Sequence, residues 1–165
     1  KGIAEVSQSI PLFNRSVREN VAYGCDNMTD ERIWDVLERA QIADRIRRLP
    51  QGLDTVLGVR GQKFSGGERA RIAIARAFIR EAQVIILDEA MAAIDSESEL
   101  LIQKGLEKLT QGRTLIAVAH RLSTLKGIQR IIVMDKGQII GDGTHQELLL
   151  TCPLYQRLWE IQRVI

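Results

Sequence analysis

The sequence predicts an α/β protein with a parallel sheet, preceded by a largely helical segment. Two observations carry this prediction: helical periodicity dominates before residue 80, and short apolar runs alternate with helical patterns after it. The runs are Val84–Leu87, Leu115–Val118 and Ile131–Met134. Such runs are typical of strands buried on both faces of a parallel sheet. Strands that alternate with helices along a chain indicate α/β topology.

The segment from about Asn14 to Arg80 is predicted to be mainly helical. Within Ile33–Ala40, apolar residues recur at the i, i+3, i+4 and i+7 positions of one helix face. Thr29 is a suitable N-cap for this helix, because its side-chain oxygen can accept a free backbone N–H. A loop before the next helix is marked by the glycines at Gly52, Gly58 and Gly61.

The later helices and one hairpin are predicted from local signals. Ser96 and Glu99 have capping-box spacing before a helix that ends near residue 109, and Thr144 and Glu147 repeat that spacing. The run Asp135–Gln138 predicts a tight turn between two strands.

Composition and charge narrow the class of protein. Hydrophobic residues make up 45% and charged residues 27% of the 165 residues, which is typical of a folded globular domain. The net charge of +2 is too small to indicate nucleic acid as a partner. The basic clusters Arg45–Arg48 and Arg69–Arg80 are predicted to be solvated helix faces. Cys25 and Cys152 lack metal-ligand spacing and are predicted to be reduced and unpaired.

An acid pair follows the first apolar run. Asp88 and Glu89 come directly after Val84–Leu87, so the predicted strand delivers both carboxylates to the edge of the sheet where α/β proteins bind ligands. One carboxylate suits Mg²⁺, which prefers oxygen ligands. The other suits the orientation or deprotonation of a water molecule. An acidic N-cap without a ligand is the alternative for this pair taken alone.

A second candidate site opens the helix that follows residue 65. Ser65 and Glu68 have capping-box spacing, and the glycines between them, Gly66 and Gly67, allow backbone N–H groups to approach a ligand closely. The free amides of a helix N-terminus favour anions such as phosphate. A capped junction without a ligand is the alternative here.

Taken together and in order, these segments resemble the ABC ATPase family. Five motifs carry the resemblance over essentially the whole chain: Gln8 with the apolar run after it for the Q-loop, Phe64–Glu68 for the signature motif, Ile85–Asp88 with Glu89 for the Walker B strand and catalytic glutamate, Ala92–Asp95 for the D-loop, and His120 for the switch histidine. The signature is usually written LSGGQ, so this chain has Phe and Glu at its two ends. The D-loop is preceded by Met91 where Thr is usual.

The resemblance implies a fold. We expect one ABC ATPase domain over residues 1–165, made of a partial P-loop NTPase (RecA-like) core with a parallel sheet and an α-helical ABC subdomain. The helical subdomain is expected over about residues 9–80 and the rear of the core over about residues 81–165.

The resemblance also implies roles in ATP hydrolysis with Mg²⁺. Asp88 is expected to help hold Mg²⁺, and Gln8 to sense it. Glu89 is expected to polarise the attacking water, and His120 to contact the γ-phosphate. These four residues would act on the ATP bound by their own subunit.

The signature motif is expected to act on a different nucleotide. By resemblance, Ser65, Gly66, Gly67 and Glu68 would contact ATP bound to the opposite subunit, so that ATP joins a head-to-tail dimer of ATPase domains. Asp95 would couple the two sites across that interface.

Three further segments are similar to those of exporters: Leu12–Asn20 after the Q-loop, Gly143–Leu149, and Leu57–Gly61, which resembles the X-loop. Val59 stands where exporters usually carry Glu in that loop. The resemblance therefore implies ATP-driven transport, with a transmembrane domain as partner, at the cytoplasmic face of a membrane and without nucleic acid.

The phosphate-binding loop, G-x-x-x-x-G-K-[ST], occurs nowhere in the 165 residues, although in this family it precedes the Q-loop. The sequence also begins with Lys1, within a strand pattern. We therefore expect the chain to be the rear part of a domain, inactive alone. Two alternatives are a non-enzymatic ABC fragment and an ABC ATPase of DNA repair or chromosome maintenance. The latter carry long coiled coils between Q-loop and signature, where this interval is short.

Overall fold

A computed structural model describes residues 2–7, 12–88, 96–118 and 128–163. It divides the chain into two compact units, Lys1–Val118 and Ala119–Ile165. The elements of the first unit are β1 (Ile3–Ser7), α1 (Val17–Val21), α2 (Asp30–Arg39), α3 (Ala43–Arg47), α4 (Gly66–Ile79), β2 (Val84–Asp88), α5 (Ser96–Thr110) and β3 (Thr114–Val118). Those of the second unit are β4 (Ile131–Asp135), β5 (Gln138–Gly143), α6 (His145–Thr151) and α7 (Pro153–Arg163).

The first unit contains the predicted parallel sheet. Its strand order is β1-β2-β3, and both strand pairs are parallel. The register aligns Ser7 with Asp88 and Asp88 with Val118, so the carboxyl ends of all three strands meet at one edge. The predicted α/β class is confirmed.

One part of the strand prediction is wrong. Ile85 in the central strand is fully buried, but Ile116 and Val118 of β3 are 52% and 51% exposed. Among the described residues, the helices cover one face of the sheet, so side chains on the other face remain exposed in β3. The run in β4 also differs from the prediction, because β4 pairs antiparallel with β5.

The helices before the sheet form as their patterns predict. In α2, Ile33, Val36 and Leu37 are fully buried, and the Thr29 side chain accepts a hydrogen bond from the Arg32 backbone N–H. The central helix is α4, which packs against α1, α2, α5 and β1. Most of its residues are buried, so the helix forms the middle of the core of the first unit.

The two basic clusters differ in their exposure to solvent. The arginines of Arg45–Arg48 are exposed, as predicted. For the cluster Arg69–Arg80 the prediction of a solvated face holds at Arg80, which is exposed, but it is wrong at Arg71, which is only 6% exposed, and Arg76 is half-buried. Because α4 packs against several elements, little of its surface faces solvent.

The second unit is a hairpin with two helices. Lys136 and Gly137 both have positive φ (46° and 79°) in the turn between β4 and β5, the conformation of a tight hairpin turn. The Thr144–Glu147 capping box of α6 is present as predicted. A small core joins these elements: Ile131, Val133, Leu148, Cys152 and Tyr155.

Two observations concern the part of the chain that the structure describes. Cys25 and Cys152 are both free thiols. Within the described ranges, no helix combines the length and the apolar character required to cross a membrane.

Candidate functional site

The predicted signature motif is a capped turn at the start of α4. Ser65 is the N-cap, with extended backbone (φ −64°, ψ 166°). The Glu68 backbone N–H donates to Ser65 Oγ at 3.2 Å, and the Ser65 backbone N–H donates to Glu68 Oε2 at 2.8 Å. The reciprocal bonds form the predicted capping box and satisfy two donors that a helix start leaves open. Ser65 and Gly66 are exposed, so this turn is open to a ligand.

The second glycine of the turn lies against the start of α5. A Cβ atom added to Gly67 would lie 2.5 Å from Ser98 Cβ and 2.7 Å from Ser98 Oγ, closer than real Cβ contacts. Gly66 has no such neighbour, since its nearest atom is Arg69 Nη2 at 3.9 Å. Gly67 therefore permits the close approach of two helix N-termini, whereas Gly66 faces open space.

Two arginines donate hydrogen bonds to the signature turn, Arg45 from α3 and Arg69 from the first turns of α4. Arg45 Nε, from α3, donates to Glu68 Oε1 at 2.7 Å, and its guanidinium lies 5.8 Å from the centre of the Phe64 ring. Arg69 Nη1 donates to the Phe64 backbone oxygen at 2.7 Å. Burial disfavours the charged form of Glu68, but hydrogen bonds from the Ser65 backbone and Arg45 outweigh it, so the pKa of Glu68 lies below its ordinary value. Glu68 is thus a carboxylate at neutral pH.

The sheet edge carries the second candidate group. Asp88 ends the central strand, is exposed, and lies in register with Ser7 and Val118 on the flanking strands. An accessible carboxylate at the carboxyl end of a parallel strand fits one ligand of Mg²⁺, which proteins often hold by one or two carboxylates with phosphate oxygens. Among the described residues there is no cluster of three metal-binding side chains. Asp88 is therefore the one predicted metal ligand that the structure describes.

Four predicted site residues lie outside the described residues: Gln8, Glu89, Asp95 and His120. The structure brings Ser65 to Glu68 into one turn and Asp88 to the edge of the sheet.

The segment after the predicted Q-loop is tied to α4 by a buried amide. Asn20 is fully buried; its Oδ1 accepts from the Phe13 backbone N–H at 2.9 Å, and its Nδ2 donates to the backbone oxygens of Phe13, Arg15 and Ser16. Arg76 of α4 donates to the Asn20 backbone oxygen at 2.9 Å and to Asn20 Oδ1 at 3.1 Å. The helix that begins with the signature turn therefore also positions the segment that follows Gln8.

Sequence reasoning missed three of these contributors. The spacing of Arg45 predicts only a solvated helix face, and no sequence pattern predicts a role for Ser98 or Asn20. The contacts of Arg45 and Ser98 span more than twenty residues, so no local spacing marks them. The one available signal for Arg45 was chemical: a Glu at the last signature position, where Gln is usual, calls for a nearby cation.

Comparison with known proteins places the chain in a family. The sequence profile described as ABC transporter matches residues 1–92. The chain is 53% identical over 157 residues to an ATP-dependent lipid A-core flippase of Acinetobacter baylyi, which covers 94% of this chain and 27% of that protein. It is 46% identical over 156 residues to a multidrug resistance ABC transporter ATP-binding and permease protein of Lactococcus lactis, covering 94% of this chain and 26% of the relative.

Comparison of the fold with solved structures agrees with the sequence comparison. The structure of a bacterial Atm1-family ABC exporter with ATP bound superimposes with a TM-score of 0.88 at 39% identity, over 98% of this chain and 28% of that one. The chain belongs to the ABC transporter family. Within that family it represents the ATP-binding domain, and it spans about a quarter of the length of the relatives that it matches.

Proposed function

We propose that this chain supplies parts of two ATP sites in an ABC exporter, in which ATP binding and hydrolysis drive transport across a membrane. The sheet edge would serve the nucleotide of its own subunit, and the signature turn that of the opposite subunit. The working unit is then a head-to-tail dimer of ATP-binding domains joined to a transmembrane domain at the cytoplasmic face of a membrane.

The observation that carries the proposal is the register of the three parallel strands. Ser7 and Val118 lie in register on either side of Asp88. Gln8 and Glu89 directly follow Ser7 and Asp88 in the sequence, and His120 is the second residue after Val118. Consecutive Cα atoms are about 3.8 Å apart, and we propose that Gln8, Glu89 and His120, one or two positions beyond the strand ends, act at this edge. A cation sensor, a catalytic carboxylate and a γ-phosphate contact are needed at one place for phosphoryl transfer.

The chemistry assigned to each residue follows from its type. Mg²⁺, when bound, neutralises phosphate charge. The Asp88 carboxylate is suited to hold that cation, and Glu89 to orient and polarise the attacking water. The Ser65 hydroxyl and the backbone N–H groups of Gly66 and Gly67 are suited to a phosphate, because a helix N-terminus carries partial positive charge.

An exporter role is favoured over the DNA-repair class by the interval before the signature. In described residues 12–64, the longest helix is α2, with ten residues. That length is about 15 Å, far short of a coiled-coil arm. The two named relatives are a flippase and a multidrug transporter, which also favours transport.

The test is ATP turnover by the purified full-length protein in lipid. Glu89→Gln is expected to lower turnover by about 10²-fold or more, while ATP binding is retained, because the substitution removes the base without removing the phosphate contacts. Glu97→Gln is the matched control, since Glu97 is an exposed carboxylate in the first turn of α5. Equal turnover in Glu89→Gln and Glu97→Gln would refute the assignment.

The 165-residue chain by itself is expected to show no ATP turnover, because no phosphate-binding loop occurs in its sequence. Turnover by the isolated chain that Glu89→Gln abolishes would contradict this expectation and would favour a complete catalytic site within these residues.

A further inference from the structure

We infer that Arg45 is a positioning residue of the signature turn: it neutralises the carboxylate of Glu68, so that the turn can receive the phosphate of a nucleotide. This inference rests on the proposed function of that turn. It concerns a residue of α3, outside the five motifs, and explains how a signature ending in Glu can work.

Each oxygen of the Glu68 carboxylate accepts a hydrogen bond. Oε2 accepts from the Ser65 backbone N–H at 2.8 Å, and Oε1 accepts from Arg45 Nε at 2.7 Å. The Glu68 side chain is only 17% exposed, and that of Arg45 is 43% exposed. The guanidinium therefore covers the carboxylate on its outer side while remaining partly in water.

The charge balance at the turn explains why the pairing of Arg45 with Glu68 affects phosphate binding. A phosphate that approaches the amides of the turn is negative, and the capping carboxylate lies in the same turn of helix. Like charges a few ångströms apart repel strongly where solvent is excluded. With Gln at this position no repulsion would arise. With Glu, the adjacent guanidinium brings the net charge of the pair to zero. Arg71 contributes to the field at Glu68, but the hydrogen-bonding guanidinium is that of Arg45.

A purely structural role for Arg45 makes different predictions. In that case Arg45 would serve mainly to attach α3 to α4 through Glu68, and its removal would lower the unfolding midpoint without a selective rise in the KM for ATP. In the electrostatic role, removal is harmful only while position 68 is charged, and the effect falls as salt screens the repulsion.

The experiment measures kcat and KM for ATP in the purified full-length protein, with Arg45→Gln made in two backgrounds. In the parent protein, Arg45→Gln is expected to raise the KM for ATP about tenfold with a smaller change in kcat. In the Glu68→Gln background, the same substitution is expected to change the KM less than twofold, whatever activity that background retains. The tenfold effect is also expected to shrink as ionic strength rises from about 0.05 to 0.5 M.

Two variants serve as controls. Arg45→Lys keeps the charge and is expected to stay within about threefold of the parent KM. Arg47→Gln removes an exposed arginine of the same helix that pairs with Glu38 and Asp44 instead, and it is expected to match the parent.

The inference is overturned if Arg45→Gln has the parent KM, if it is equally harmful in both backgrounds, or if its effect is insensitive to salt. These outcomes are separate from failure of the proposed function. Failure of that function would appear as parent turnover that does not depend on Glu89.

Discussion

The contact between Gly67 and Ser98 supports a sharp prediction, because two adjacent glycines in α4 have opposite surroundings. In Gly67→Ala, the new methyl group would lie 2.5 Å from Ser98 Cβ, an atom fixed to the backbone of α5. Overpacking of this kind typically destabilises by about 1–3 kcal/mol. Alanine also favours a helix over glycine by up to about 1 kcal/mol. We therefore expect Gly67→Ala to lower the free energy of unfolding by up to about 3 kcal/mol, the overpacking cost less the helix preference.

The matched control is Gly66→Ala. Apart from its chain neighbours and the backbone of its own helix, its new methyl group would find no atom closer than 3.9 Å, and neither glycine has a positive φ. The helix preference then acts alone, and we expect Gly66→Ala to be neutral or stabilising by up to about 1 kcal/mol. The two variants should differ by about 1–3 kcal/mol although they are neighbours.

The assay is urea unfolding followed by the fluorescence of Trp34, which packs against the core of the first unit. A Trp159→Phe background leaves Trp34 as the only tryptophan of the chain. The double variant Gly67→Ala/Ser98→Gly tests the cause, because removal of Ser98 Cβ removes the clash, whereas Ser98→Ala leaves that atom in place. A double-mutant cycle isolates the coupling from the other effects of each substitution.

Two results would refute this reasoning. The first is Gly67→Ala at least as stable as Gly66→Ala. The second is a coupling energy near zero between Gly67→Ala and Ser98→Gly, which would show that the methyl group does not meet Ser98.

Two further predictions concern other parts of the chain. Asn20→Ala is expected to destabilise by about 2–4 kcal/mol in the same urea assay, because the backbone groups of Phe13, Arg15 and Ser16 lose their side-chain amide partner and Arg76 loses its hydrogen bond to Asn20 Oδ1; a loss below about 1 kcal/mol would contradict it. The second prediction concerns pH. Hydrogen bonds from the Thr144 backbone and side chain hold the pKa of Glu147 below its ordinary value, so its stabilising contribution is present above the pKa of an unfolded glutamate and is lost as pH falls through the lower, folded pKa. Glu147→Gln should therefore flatten the acid side of the plot of unfolding free energy against pH, with unfolding followed by Trp159 fluorescence. An unchanged slope of that plot would show that the pKa shift is absent.

Local features of this protein followed from sequence alone. The caps at Thr29, Ser65 and Thr144 appear as predicted, because each depends on hydrogen bonds within three residues. The hairpin turn at Asp135–Gln138 also follows from local backbone preferences. The family was also predicted from sequence, because the short motifs and their order can be read without any knowledge of tertiary contacts.

Burial was harder to predict than secondary structure. The apolar run of β3 indicated a strand correctly, but whether both faces are covered depends on which elements pack there. The same applies to Arg71, whose exposure follows from the number of helices around α4 rather than from its own spacing.

What only the tertiary structure decided is how distant segments meet at the signature turn. Arg45 reaches Glu68 across 23 positions of sequence, and Ser98 approaches Gly67 from another helix. Such contacts arise from the packing of α3, α4 and α5, and helix packing leaves no periodic signal in the chain. The sequence determined that a capped, glycine-rich turn forms at Ser65–Glu68, and the packing determined which charge and which side chain surround it.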